Sequence, residues 1–394
     1  MKQIAILTAL WVLTGCVTHT QTSSYVDSDI IPAETVADPQ TILSISHDIQ
    51  RELDQQIQAH WSDRKKLTHL KRFLFHDDGL GIRYDADHTK TALEAYETRS
   101  GNCLSIATLF IAAARHVGLP AHYRVVAIEP TWDHQGATMI RYEHIVAHGT
   151  LDTGEIYEVD FLPVVYFDND SAQDVSDHDA LAHYFNNLGA EHIVHQDHQA
   201  AIKNLRTALA IRPKFADGWN NLGTAYKHAG DVDRALFSYH RALQLNRKHY
   251  SSMSNLALLY QDHGEYGTAA YYKRRAQRYL KRNPYTHFFR AQHALKDNKP
   301  HQAFRHLQRA IKRNPNEPGF QRLLADIEAR IGNANAEILS PTLALTTKPK
   351  GGAKAPIRTR IEHPGRNHHR WPRHIHMEAF PGAPIPVCDT RGCT

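Results

Sequence analysis

Apolar residues recur at intervals of four through Ile45, Ile49, Leu53 and Ile57, which predicts an amphipathic helix at the start of a non-repetitive region, 44–168. Leu104, Ala107, Leu109, Phe110 and Ala114 predict a second, strongly apolar helix. Ser100-Gly101-Asn102 supplies its start signal and Gly118-Leu119-Pro120 its exit. Beyond that exit, residues 123–128 and 141–148 read as strands, and a turn at Asp152-Thr153-Gly154 leads to a third at 155–160. Mixed helix and strand in that order predicts an α+β domain.

The second half has a different rhythm. Ala201, Ala235, Ala269 and Ala303 lie 34 residues apart, and so do Ala208, Ala242, Ala276 and Ala310. Small residues at a fixed period let paired helices approach closely while bulky ones fill the gap to the next pair, so 182–335 predicts an all-α solenoid. Four units start near Ala182, Ala216, Tyr250 and Pro284, and 318–332 reads as a cap helix. Trp219, Leu222, Gly223, Tyr226, Ala235, Tyr239 and Ala242 resemble the tetratricopeptide (TPR) pattern. That resemblance implies a protein or peptide partner held in a groove. Asn186, Asn220, Lys227, Ser254, Gln261 and Phe288 on the inner helices are its candidate contacts, whereas Asn187, Asn221 and Asn255 recur in phase as part of the repeat pattern.

The chain opens with Lys2 and an apolar run from residue 4 to 13, too short for a spanning helix, which needs ~20 residues, and shaped like a secretory leader. Leu13-Thr14-Gly15-Cys16 resembles the lipobox of bacterial lipoproteins. The resemblance implies removal of residues 1–15 and acylation of Cys16. Val17 is not the Asp that retains such proteins in the inner membrane, so an outer-membrane, periplasm-facing location is expected. Residues 16–43 then read as a tether to the bilayer.

Composition narrows the classes further. Of 394 residues, 42% are hydrophobic and 22% charged, which excludes a polytopic membrane protein and a wholly disordered chain. The net charge of +5 is local: residues 340–394 hold nine Lys/Arg against three Asp/Glu, leaving the rest near neutral. No nucleic-acid partner is expected on that balance. The Pro-, His- and Lys/Arg-rich stretch 340–394 reads as a disordered tail. Four cysteines are too few for a disulfide framework, although Cys388 and Cys393 are near enough to close a small loop.

Chemistry concentrates at Cys103. At a helix N-terminus the unsatisfied amides and the macrodipole favour the thiolate, which is the nucleophilic form. A nucleophile needs a base within reach and a third group to orient that base. His144 and Asp160 lie 41 residues beyond Cys103 and a further 16 beyond that, which suits a helix packed on an antiparallel strand pair. His148 shares the parity of His144 and is the rival base.

Arg99-Ser100-Gly101-Asn102-Cys103, Gly118-Leu119-Pro120-Ala121, Glu143-His144 and Val159-Asp160 together resemble the transglutaminase-like superfamily, a papain-like Cys–His–Asp fold. The resemblance implies that Cys103 attacks an amide or ester carbonyl, His144 shuttles the proton and Asp160 fixes the imidazole. It implies hydrolysis of a peptide or protein amide, or transfer to an amine. The upstream Trp that eukaryotic relatives use at the oxyanion site has no counterpart close to Cys103, Trp61 being distant in sequence. Nothing in the core has metal-ligand spacing and no phosphate-cradling loop is present, so neither cofactor nor metal is expected there. The alternative is a non-catalytic TPR adaptor with a degenerate Cys domain.

Overall fold

The computed structural model describes residues 26–31, 38–85, 87–126, 132–135, 138–141, 144–160, 172–315, 318–336 and 357–360. The leader, Cys16, Cys388, Cys393 and most of the tail lie outside the described residues.

The first half is α+β. Its helices are α1 (Asp27–Ile30), α2 (Gln40–Leu43), α3 (His47–Gln56), α4 (Asp63–Phe75), α5 (Ala92–Thr98) and α6 (Cys103–His116). Its strands are β1 (Arg83–Tyr84), β2 (Ser100–Gly101), β3 (His122–Val126), β4 (Trp132–Gln135), β5 (Thr138–Arg141), β6 (His144–Thr150), β7 (Ile156–Asp160) and β8 (Gln173–Val175). One sheet runs β8-β3-β6-β7, antiparallel throughout, with Ala147 opposite Val159. A fifth strand at its far edge, β9 (Ile357–Arg360), lies parallel to β7.

Helix α6 is the axis of this half. Every residue from Leu104 to Ala114 is buried, because β6 covers one side and α2 to α5 the others. Ile49, Leu53, Leu70, Leu74 and Ile82 close the core around it. Ser46 caps α3 by accepting from the Ile49 amide, as the four-residue spacing of that helix requires a start there.

The repeat half follows from α7 (Asp177–Val194) and α8 (His198–Ile211) through α9 (Ala216–His228), α10 (Val232–Leu245), α11 (Tyr250–Asp262), α12 (Tyr266–Arg282), α13 (Pro284–Lys296) and α14 (Pro300–Ile311) to α15 (Pro318–Ala336). Helices pair in order, inner then outer. Glycine at 223 is a packing requirement: a Cβ there would meet the Tyr239 ring at 2.8 Å, so α9 and α10 close only without one.

Three features differ from the sequence expectations. β4 and β5 pair antiparallel with each other apart from the main sheet, so the strand expected over 141–148 starts afresh at His144. The expected tether is partly folded, since Ile30 of α1 is fully buried against the repeats and Ile42 of α2 in the core of the first half. The expected tail contributes β9, whose backbone completes the open edge of β7.

Candidate active site

The Cys103 environment is assembled locally first. Thr91 caps α5, accepting from the Glu94 amide, and the Glu94 carboxylate accepts in turn from the Thr91 amide at 2.8 Å. Arg99 ends α5 in the left-handed region at φ 51°, which turns the chain into β2. There it pairs with β1, Tyr84 opposite Gly101. A Cβ at Gly101 would approach Ser105 Cβ to 2.6 Å, so this position needs glycine for α6 to begin where it does. Asn102 caps α6: its Oδ1 accepts from the Ser105 amide at 3.0 Å and the Ser105 hydroxyl at 2.9 Å.

Cys103 is thereby the first residue of α6 and is half-buried rather than sealed. The strand register brings the other two residues to it. His144, first in β6 and 3% exposed, donates through Nε2 to Asp160 Oδ1 at 2.8 Å, Asp160 being last in β7. The same imidazole acts on the Cys103 thiol, and each group shifts the other's titration.

Electrostatics follow from this geometry. Burial pushes the Cys103 thiol up, but the hydrogen bond and charge of His144, with the Ile145 and Leu104 amides, outweigh it and leave the thiol below its ordinary value. Burial opposes a charged His144, yet the Asp160 carboxylate beside it, helped by Cys103, holds the imidazole well above its usual range. A lowered thiol facing a raised imidazole favours the thiolate–imidazolium pair.

Tyr84 is a member that sequence reading missed. Its backbone pairs with Gly101, two residues before Cys103, and burial first, then the Cys103, Asp85 and Asp160 charges, drive its phenol well above its ordinary value, which keeps it a hydrogen-bond donor. His148, the rival base, is four residues along β6, roughly 13 Å away at ~3.3 Å per residue. Its Nε2 lies 2.9 Å from Asp174 Oδ1 and its ring faces His122. It faces a carboxylate on β8, whereas His144 bonds to one on β7. Trp61 lies against His69 and under Lys65. Among the described residues no group of three or more His, Cys, Asp or Glu is placed to hold a metal ion.

The expected groove contacts divide. Asn186, Asn220 and Phe288 are buried, which corrects their assignment to a binding surface. Asn220 Oδ1 accepts from Ser252 Oγ at 3.0 Å and Asn255 Nδ2 at 3.1 Å, and Asn186 Oδ1 accepts from Asn221 Nδ2 at 3.0 Å. These amides join successive inner helices. Phe288 fills the last repeat's core with Phe320. Lys227 lies 3.7 Å from Asp262, Ser254 is half-buried and Gln261 is exposed. The β5 backbone runs against the inner helices α9 and α11, so part of the array faces the hairpin that precedes His144.

Comparison with known proteins defines both halves. Residues 51–161 match the family model for the transglutaminase-like superfamily. Residues 195–230, 216–249 and 290–343 match tetratricopeptide-repeat models. The chain therefore carries a transglutaminase-like domain followed by tetratricopeptide repeats, which generally mediate protein–protein interaction. Among solved structures, MamA is 23% identical over 26% of this chain and 66% of its own, with a TM-score of 0.24. The chain thus spans slightly less than two thirds of that protein. Pseudomonas aeruginosa pilF is 20% identical over 40% of this chain and 72% of its own, TM-score 0.26. TTC0263, a thermophilic TPR protein of Thermus thermophilus, is 18% identical over 38% and 81%, TM-score 0.24. No curated protein matches the chain.

Proposed function

We propose that this protein performs cysteine-nucleophile acyl chemistry on a peptide or protein, with the repeats binding a protein partner, at a cell envelope to which acylated Cys16 anchors it. One observation carries the catalytic reading: His144 bonds Asp160 through Nε2 while the same imidazole acts on the Cys103 thiol, each shifting the other toward the charged form. Cys103 Sγ attacks an amide or ester carbonyl, and the carbonyl π pair moves to oxygen. His144 then gives its proton to the departing amine or alcohol as the C–N or C–O bond breaks, leaving a thioester. Water or an amine resolves that thioester, His144 accepting its proton. The Cys103 amide and the Tyr84 hydroxyl are the donors available to the oxyanion.

The test is acyl-enzyme capture. The full chain is incubated with an activated peptide ester and quenched in acid. Intact-mass analysis is expected to show one acyl increment, mapped to Cys103, removed by hydroxylamine and absent from His144→Ala. No increment, or one that maps elsewhere, favours the adaptor reading, in which the domain holds the repeats in place.

A further inference from the structure

The near-neutral balance of residues 1–339 conceals two opposed blocks. Residues 1–265 carry 22 Lys/Arg against 33 Asp/Glu, whereas 266–315 carry 13 Lys/Arg against Asp297 alone. Most of that second block lies on outer helices of the last two repeats. On α12, Ala269, Tyr272 and Ala276 face inward. Tyr266, Tyr271, Lys273, Arg274, Arg278, Lys281 and Arg282 are all exposed, and at 100° per residue they fall within one half of the helix circumference. Arg305, Arg309, Lys312 and Arg313 extend the exposed charge on and just beyond α14. The resulting field reaches inside: the His287 and His306 imidazoles are lowered, by burial first and then by cations that include Arg290 and Arg309.

We infer that this outer face of α12 and α14 docks on the phosphate-bearing head groups of an anionic lipid bilayer. Five cations and two exposed tyrosines (71% and 50% for Tyr266 and Tyr271) on one helix face, with no carboxylate among them, suit that layer: phosphate meets the cations and the rings enter the interface. The course of the N-terminal segment selects the same side. Helix α1 lies across the outer helices α8 and α10, with Ile30 buried, the Ile30 carbonyl accepting from Arg206 Nε at 2.5 Å and Asp27 accepting from Arg241. The next outer helix in that row is α12, which touches α10 through Tyr272 and His240. Val26 lies ten positions beyond Cys16, a reach of at most ~36 Å. Only the reach of that segment rests on the acylation proposed above; the charge and the tyrosines stand without it.

The test uses the full chain with Cys16→Ala throughout, so that no acyl chain contributes and a failure of the anchor reading does not affect the outcome. Partitioning onto phosphatidylcholine vesicles with and without phosphatidylglycerol is measured for three proteins. These are the Cys16→Ala chain itself, the triple Arg274→Gln/Arg278→Gln/Lys281→Gln, and a control triple of equal charge change, Arg51→Gln/Lys65→Gln/Lys214→Gln. Circular dichroism and thermal unfolding confirm that each is folded. The phosphatidylglycerol-dependent affinity is expected to fall at least tenfold in the α12 triple and less than twofold in the control. Equal losses in both triples, or none in either, overturn the inference. So does duplex DNA that binds the face more tightly than vesicles at the same phosphate concentration, which would assign it to nucleic acid.

Discussion

The Thr89 amide donates to Glu191 Oε1 at 2.7 Å, and Thr89 Oγ1 accepts from the Asn102 side chain at 2.7 Å, so the residue that caps the Cys103 helix is linked to the first repeat helix. The far end of α6 is tied to the same helix: Arg115 makes two bonds to the Asp177 carboxylate, 2.6 and 2.9 Å long. Helix α6 is thus pinned at both ends to α7.

Glu191 gives this link a pH signature. Burial raises its carboxyl to about 6, with the Thr89 bonds opposing. A carboxyl whose folded value lies above its unfolded one costs stability as it ionises, so stability falls between about pH 4.5 and pH 6. The Glu191→Gln substitution keeps an acceptor for Thr89 without the charge. Its stability advantage over the native protein is expected to grow across that window, to on the order of 1 kcal/mol at pH 7, and to raise its relative Tm accordingly. A difference in Tm that does not change with pH contradicts this.

Asn102→Ala removes the α6 cap and leaves Thr89 and Ser105 without a shared partner. A loss of about 1–2 kcal/mol is expected in denaturant unfolding. The Cys103 labelling rate should fall with it, because the sulfur is held by the helix start that Asn102 orders. A stable variant with native labelling would separate the cap from the thiol.

Tyr84→Phe tests the second oxyanion donor. Removing one such donor typically costs about 10²–10³ in kcat. Acylation by an activated ester should drop by at least tenfold while alkylation of Cys103, which develops no oxyanion, stays within about twofold. Equal effects on both would make Tyr84 a structural neighbour only.

Asn220→Ala separates packing from binding in the repeats. It strips a fully buried acceptor from Ser252 and Asn255, so a stability loss of about 1–3 kcal/mol is expected. Gln261→Ala, on an exposed position, should leave the Tm within a degree. If Asn220→Ala unfolds like the native protein, the amide does not carry the inner-helix contacts.

What was legible in the sequence followed the strength of local signals. Asn102 before an apolar helix and two alternating strands fix where Cys103, His144 and Asp160 fall, and one antiparallel register then brings the latter two together. Tyr84 was hidden because its strand is two residues long and pairs in parallel with Gly101, a contact that depends on Arg99 turning through the left-handed region. The 34-residue alanine period set the repeat helices, but not which inner-helix polar groups face neighbours. Asn186 and Asn220 looked available for a ligand and instead bond across helices. The β4–β5 hairpin departs from the strand expected there because Arg141 pairs back to Trp132 before β6 begins.

The central claim is that His144 and Cys103 share a proton in a thiolate–imidazolium pair. It is tested most directly by the pH profile of Cys103 alkylation in the native chain and in His144→Ala. With the thiol lowered by His144, the native rate should rise at a pH below the ordinary thiol value of 9.0. Removing the imidazole should carry that rise upward by more than one pH unit and slow labelling at pH 7 by at least tenfold. Superimposable profiles would contradict the account, since the sulfur would then be titrating without its histidine.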